Sequence, residues 1–314
     1  MAMARAERTA TAARFAKTRN YLARTWPLYA MFVPGLVALA IFSYYPMYGI
    51  IISFQDYNPG LGFIKSPWVG LQNFRAIFSN PDFRDIVRNS FVIATAKIVT
   101  QQVAAVALAL LLNELTRTWL KRTLQTILYL PYFLSWIVLG GILLDMLSAG
   151  GLVAQAFRAV GLESPMFLGS NTWFVPTLIV TNIWQTVGWS TIIYLAALTS
   201  VDPVLHEAAA IDGAGRLQRV RYVTLPGIAS TVVLLACLNL GNVLQAGFDQ
   251  VFTLYNPAVY ATGDILDTYV YRVGLISARY SVGGAIGLFK SVMGFILIVV
   301  AYRLADRFTD YSIF

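Results

Sequence analysis

An all-α membrane protein with six transmembrane helices is the fold this sequence predicts, and three observations predict it. Hydrophobic residues make up 58% of the 314 positions and charged residues only 12%, against about 25% charged residues in soluble domains. Mean hydropathy is +0.65. A globule of this size could not hide that much apolar surface from water, so most of it faces lipid or a helix bundle within lipid. Six stretches are long enough to cross a hydrocarbon core of roughly 30 Å as helices at about 1.5 Å per residue. Basic residues divide unevenly between the connecting segments, fourteen on one side and seven on the other. The composition excludes a disordered chain, a secreted disulfide scaffold and a soluble nucleic-acid binder, despite the net charge of +8.

The chain opens with a basic arm, residues 1–26, carrying Arg5, Arg8, Arg14, Lys17, Arg19 and Arg24. It is expected to lie along the membrane surface, since no small-residue cleavage pattern follows the first apolar run. The remaining body, 27–314, contains spans expected at 27–51, 90–112, 124–147, 175–198, 227–247 and 285–302. The first and fifth hold internal Gly or Pro, which blurs their boundaries. Arg117, Lys121 and Arg122 fall in the second loop, Arg216, Arg219 and Arg221 in the fourth, and Arg303 and Arg307 in the tail. Because basic residues stay on the cytoplasmic side, both termini are expected there. Cys237 is alone, so no intrachain disulfide or cysteine metal cluster is expected, and one histidine, His206, is too few for a zinc site.

The fourth loop, 199–226, is too polar to cross a bilayer yet carries helix signals throughout. Asp202 before Pro203 is a helix start, because the carboxylate can accept orphan N–H bonds and proline needs no donor at the first position. A short helix follows through Val204, Leu205, Ala208 and Ile211, stopped by Gly213 and Gly215. A second basic turn then leads to Leu225-Pro226 and back into the membrane. The expected structure is a helix-turn-helix lying across the cytoplasmic face. His206 is expected to be a solvated surface residue there.

Glu207-Ala208-Ala209, Asp212-Gly213-Ala214 and Val223-Thr224-Leu225-Pro226 resemble the EAA loop of ABC importer permeases. Only valine for isoleucine departs from that pattern. The resemblance implies the type I ABC importer permease fold and a coupling helix that docks into a groove of an ATPase subunit. Glu207, Ala208, Ala209, Asp212, Gly213, Leu225 and Pro226 would carry that contact. Val69-Gly70-Leu71-Gln72-Asn73-Phe74 is similar to a segment of carbohydrate-type permeases. Phe248-Asp249-Gln250-Val251-Phe252, Leu254-Tyr255-Asn256-Pro257, Asp267-Thr268-Tyr269-Val270-Tyr271-Arg272 and Gly287-Leu288-Phe289-Lys290-Ser291 resemble its oligosaccharide branch, which includes permeases for acidic oligomers such as alginate. The family further implies a bacterial inner-membrane location, a second permease subunit forming a heterodimer, two ATPase subunits binding ATP and Mg, and an extracytoplasmic solute-binding protein. No cofactor, metal or nucleic acid is expected on this chain itself. The chain carries no ATPase motif, because the Gly287–Ser291 run lacks the glycine spacing and G-K-S adjacency of a phosphate loop.

Asn182, Gln185, Thr186 and Trp189 recur at helical spacing in the fourth span, and Asn239, Asn242 and Gln245 in the fifth. These faces are the candidate substrate pathway, with Ser135, Tyr132 and Trp136 of the third span beside them. Amides and hydroxyls can bond sugar hydroxyls, and an aromatic plane can stack on a pyranose. The same residues would also serve as interhelical glue or interfacial anchors. Lys97, Asp145 and Lys290 are the ionisable residues inside the spans. Lys97 lies deepest and would either draw an acidic sugar or donate to backbone carbonyls, the second being expected.

An ion-coupled secondary sugar transporter is the alternative, but it would place carboxylates or histidines near the midplane, where Asp145 alone is available. A membrane enzyme would need a nucleophile with its base or a metal cluster, and no such pattern occurs.

Overall fold

The computed structural model describes residues 25–308, with the backbone alone for 304–308. The basic arm up to residue 24, with its six cations, and the side chain of Arg307 therefore lie outside the described residues. The chain divides into two units, 1–52 and 53–314. Helix α1 (Thr25–Phe54) makes up the described part of the first, apart from its last two residues. Its regular turns give way to a widened turn at Ala40–Tyr44, closed by Tyr45 N–H donating to Ala40 O. Pro46 follows. A proline has no N–H and its ring crowds the carbonyl four residues back, so the ladder shifts by one residue just before it.

The second unit begins with α2 (Gln72–Phe78) and α3 (Pro81–Asn113). Asn80 caps α3 by accepting from Asp82 N, with Pro81 at the first position. At about 1.5 Å per residue, the 33 residues of α3 exceed a roughly 30 Å hydrocarbon core. The surplus is its first two turns, where Asp82, Arg84, Asp85 and Arg88 stand. The 90–112 span is thus the apolar part of a longer helix.

The third predicted span, 124–147, is not one helix. It consists of α4 (Thr118–Tyr129), a tight turn at Leu130–Phe133 built on Pro131, and α5 (Trp136–Leu147), capped afresh by Ser135. A short α6 (Leu152–Ala159) leads to α7 (Asn171–Thr199), capped by Ser170. Helix α8 (Pro203–Ile211) leaves α7 at an angle of 71°. Helix α9 (Arg216–Leu240) carries its own widened turn at Val220–Thr224, immediately ahead of Pro226. It stops at Leu240, so the predicted 227–247 span also ends in non-helical chain, turned at Gly247 with φ +86°. There follow α10 (Phe248–Leu254), α11 (Leu266–Tyr269), a widened helical stretch at Val270–Ile276, and α12 (Tyr280–Phe308). Among the described residues, five helices are long and apolar enough to cross a membrane, or six when the bent α7–α8 pair counts as one.

Helix α3 packs along α7, and three apolar clusters hold the second unit together. One joins Ala105 and Ala109 of α3 to Tyr194 and Leu198 of α7 and Ile228 of α9, near α8. A second, towards the other end, gathers Ile93, Phe174, Leu178, Val251, Leu254 and Ile265. The third ties Phe83 and Ile86 to Leu266 and Ile286. Where α4 crosses α7, a side chain on Gly188 would begin 2.1 Å from the Leu128 carbonyl oxygen. Only glycine lets the two backbones approach this closely.

Candidate functional site: the coupling segment and the membrane cavity face

The segment from Asp202 to Gln218 is built by its caps. Asp202 Oδ1 accepts from Val204 N at 2.9 Å, starting α8 where the Asp-Pro pair predicts. At the other end Asp212 N donates to Ala208 O and Ala214 N to Ala209 O, while Gly213 holds φ +80°. That is the left-handed helix stop that L side chains resist. Gly215 N then donates to Gln218 Oε1 at 2.8 Å to start the next turn. Glu207, Ala208, Asp212, Leu225 and Pro226 are exposed and Ala209 and His206 half-buried. Val204, Leu205 and Ile211 stand out from the surface, Ile211 being 87% exposed. These apolar side chains thus stand exposed on a short, twice-capped helix. The linker between α7 and α8 is tightly packed, since a side chain on Gly227 would begin 2.9 Å from Val201 Cγ2.

The residues singled out on α7 separate into two roles. Trp189 is exposed and lies flat on Tyr132, ring centroids 4.7 Å apart and planes 2° apart, with Phe133 edge-on at 6.4 Å. Asn182 is half-buried on the same helix. Gln185 is buried, and its Nε2 donates to the Leu134 carbonyl at 3.0 Å, the acceptor left free where α4 and α5 are interrupted. It is the glue of that break. Thr186 Oγ1 is turned back onto Asn182 O at 2.7 Å. Ser135 is exposed at the N-terminus of α5, its Oγ accepting from Val138 N. Asn239, Asn242 and Gln245 are exposed at the interruption after α9. Trp136 is half-buried against the second core cluster, away from the Trp189 stack.

Lys97 is 6% exposed and donates to Ala246 O at 2.5 Å, so the deep lysine takes the backbone-carbonyl role. It supports the chain where helical bonding stops after α9. Gln250 Nε2 donates to Leu178 O and Thr181 Oγ1, both at 2.8 Å, pinning α10 to α7. The Val69–Phe74 segment is likewise structural, with Asn73 Nδ2 holding the Ser53 and Gln55 carbonyls at 3.0 and 2.9 Å. Asn256 Nδ2 holds Leu168 O at 2.8 Å.

Sequence spacing registers neither ion pair found among the described residues, Arg272–Asp264 and Lys290–Asp267. Lys290 Nζ bonds Asp267 Oδ1 at 2.5 Å, on the wall of a cavity of about 560 Å³ shared with Gln245, Gly247, Phe248 and Tyr271. Twenty-three positions separate the two charges, a distance no helical periodicity registers.

Long apolar helices with a short capped helix between two of them define the class of multi-pass helical membrane proteins. The family model described as "Binding-protein-dependent transport system inner membrane component" matches residues 102–311, and the chain belongs to that family. It is a multi-pass inner-membrane permease of the sugar ABC importer type and not an enzyme. It is 42% identical over 288 residues to the polygalacturonan/rhamnogalacturonan transport system permease protein YteP of Bacillus subtilis (strain 168), covering 91% of this chain and 90% of that one. Among solved structures, it matches a chain of a bacterial ABC transporter involved in import of the acidic polysaccharide alginate, with TM-score 0.86 and 34% identity over 94% of this chain and all of that one. A chain of the alginate transporter bound to a periplasmic protein carrying alginate pentasaccharide matches at TM-score 0.86 and 33% identity, over 94% of this chain and 99% of that one.

Proposed function

We propose that this permease moves an oligosaccharide, of the acidic type, across the inner membrane by ATP-driven alternating access. It does so as one half of a heterodimer, with two ATPase subunits binding ATP and Mg and a solute-binding protein on the outer face. The observation that carries the reading is α8, an exposed apolar helix capped by Asp202 and Gly213 and joined at 71° to the helix bearing Trp189. Both termini and α8 face the cytoplasm in this reading, where Glu207, Ala208, Ala209, Asp212, Gly213, Leu225 and Pro226 make or shape the ATPase contact. Closure of the ATPases tilts α8, and α7 and α9 follow. The sugar passes the Trp189–Tyr132 platform, Asn182, Ser135, Asn239 and Asn242. Gln185 and Thr186 shape that route from behind, since their polar groups bond backbone carbonyls. The relatives' acidic polysaccharides support the substrate class.

The test is gentle purification from the native membrane, identification of co-purifying proteins, and ATP hydrolysis with the binding protein and a panel of oligosaccharides. Recovery of an ATPase and a second permease, with hydrolysis raised by an acidic oligosaccharide, is the expected result. A homo-oligomer passing sugar without an ATPase would overturn it.

A further inference from the structure

Beyond the α7 face lies the cavity walled by Gln245, Gly247, Phe248, Asp267, Tyr271 and Lys290, about 560 Å³ in volume. Phe248 and Tyr271 make one side of it an apolar surface, with Phe252 packed against both rings. Phe248 stacks on Phe252 with centroids 5.1 Å apart, and Tyr271 meets Phe252 edge-on at 4.8 Å and Phe248 at 5.9 Å. The Lys290–Asp267 pair makes the polar side. Both side chains keep partial access, 22% and 26% exposed, so the pair is open to a competing ligand. Lys97 lies behind this wall, its Nζ donating to Ala246 O and standing 3.1 Å from where a side chain on Gly247 would begin. The Lys290 ammonium, partly exposed beside the rings, is the cavity's own cation and the group that meets an anion.

From this arrangement we infer that the cavity is a subsite for one carboxylate-bearing sugar residue, resting on the acidic-oligosaccharide reading above. The sugar carboxylate takes the Lys290 ammonium, Asp267 turns to accept from ring hydroxyls, and the ring's apolar face lies on Phe248 and Tyr271. Lys290 is then the residue that distinguishes acidic from neutral sugars, and it stands apart from Trp189 and Asn182.

The experiment is uptake into vesicles holding the complete transporter, with trigalacturonate and its methyl ester as probes. Lys290→Gln removes a charged hydrogen bond and is expected to cut trigalacturonate uptake by about tenfold. It should leave uptake of the ester, complex yield and basal ATP hydrolysis near wild type. Lys290→Arg should restore most uptake of the acid, and Asp267→Asn, which frees the lysine, should keep it. Equal loss of both probes in K290Q, or equal damage from K290Q and D267N, would mean a purely structural ion pair and overturn the inference. Unchanged acid uptake in K290Q would overturn it too. Failure of the wild-type transporter to take up trigalacturonate would instead strike the acidic-substrate reading, and the subsite with it.

Discussion

Trp189 and Tyr132, 57 positions apart in the chain, stack almost perfectly parallel, their planes 2° apart. The contact crosses from α7 to the interrupted segment between α4 and α5. An aromatic pair of this kind contributes about 0.5–1.5 kcal/mol beyond its burial. Trp189→Ala and Tyr132→Ala are therefore each expected to raise the KM for sugar-dependent uptake several-fold, and the double variant little more than either single one. Full additivity in a double-mutant cycle would mean that the stack does not act as a unit.

Gln185 is expected to matter for folding rather than for the sugar. Gln185→Leu removes the side-chain donor to the Leu134 carbonyl, at a cost of about 0.5–1.5 kcal/mol. Thermal unfolding of the purified complex in detergent should fall by several degrees while the KM of the surviving protein stays within about twofold. A raised KM without loss of stability would place Gln185 in the sugar's path instead.

Gly213 sets the end of α8. Val at this φ of +80° carries a strain of about 1–2 kcal/mol. The turn should reorganise, so that Gly213→Val assembles with its partners but hydrolyses ATP without moving sugar. Gly213→Asn, which tolerates the left-handed region better, should retain more transport. Wild-type uptake by the valine variant at equal expression would remove α8 from the coupling path.

Lys97 supports the chain after α9 through a donor to Ala246 O, so the donor and not the charge is what folding needs there. Lys97→Gln should unfold closer to wild type than Lys97→Met, which leaves a buried carbonyl unpaired. Melting curves for the two variants decide this, and equal melting would show that the bond contributes nothing.

Much of this architecture is legible in the residues. Asp202-Pro203 and Gly213 mark the two ends of α8 in the sequence because caps are local chemistry. Hydropathy finds the spans because it sums over a window. The same summation hides the interruptions near Leu134 and Gly247, since apolar residues persist on both sides of each. Helical spacing places Asn182, Gln185, Thr186 and Trp189 near one another, yet α7 has neighbours at several angles. Which side chain meets a broken helix and which stays open depends on where α4 and α5 pass. The Lys290–Asp267 pair belongs to tertiary structure altogether, formed when α11 folds back on α12.

The loop ends opposite α8 are fastened largely by carboxamides: Asn73 on Ser53 and Gln55, Asn89 on Ala261, Asn171 on Ala258, Asn256 on Leu168. Amides hold no titratable proton. Those carboxamide fastenings therefore have no proton to gain or lose and do not loosen as pH changes.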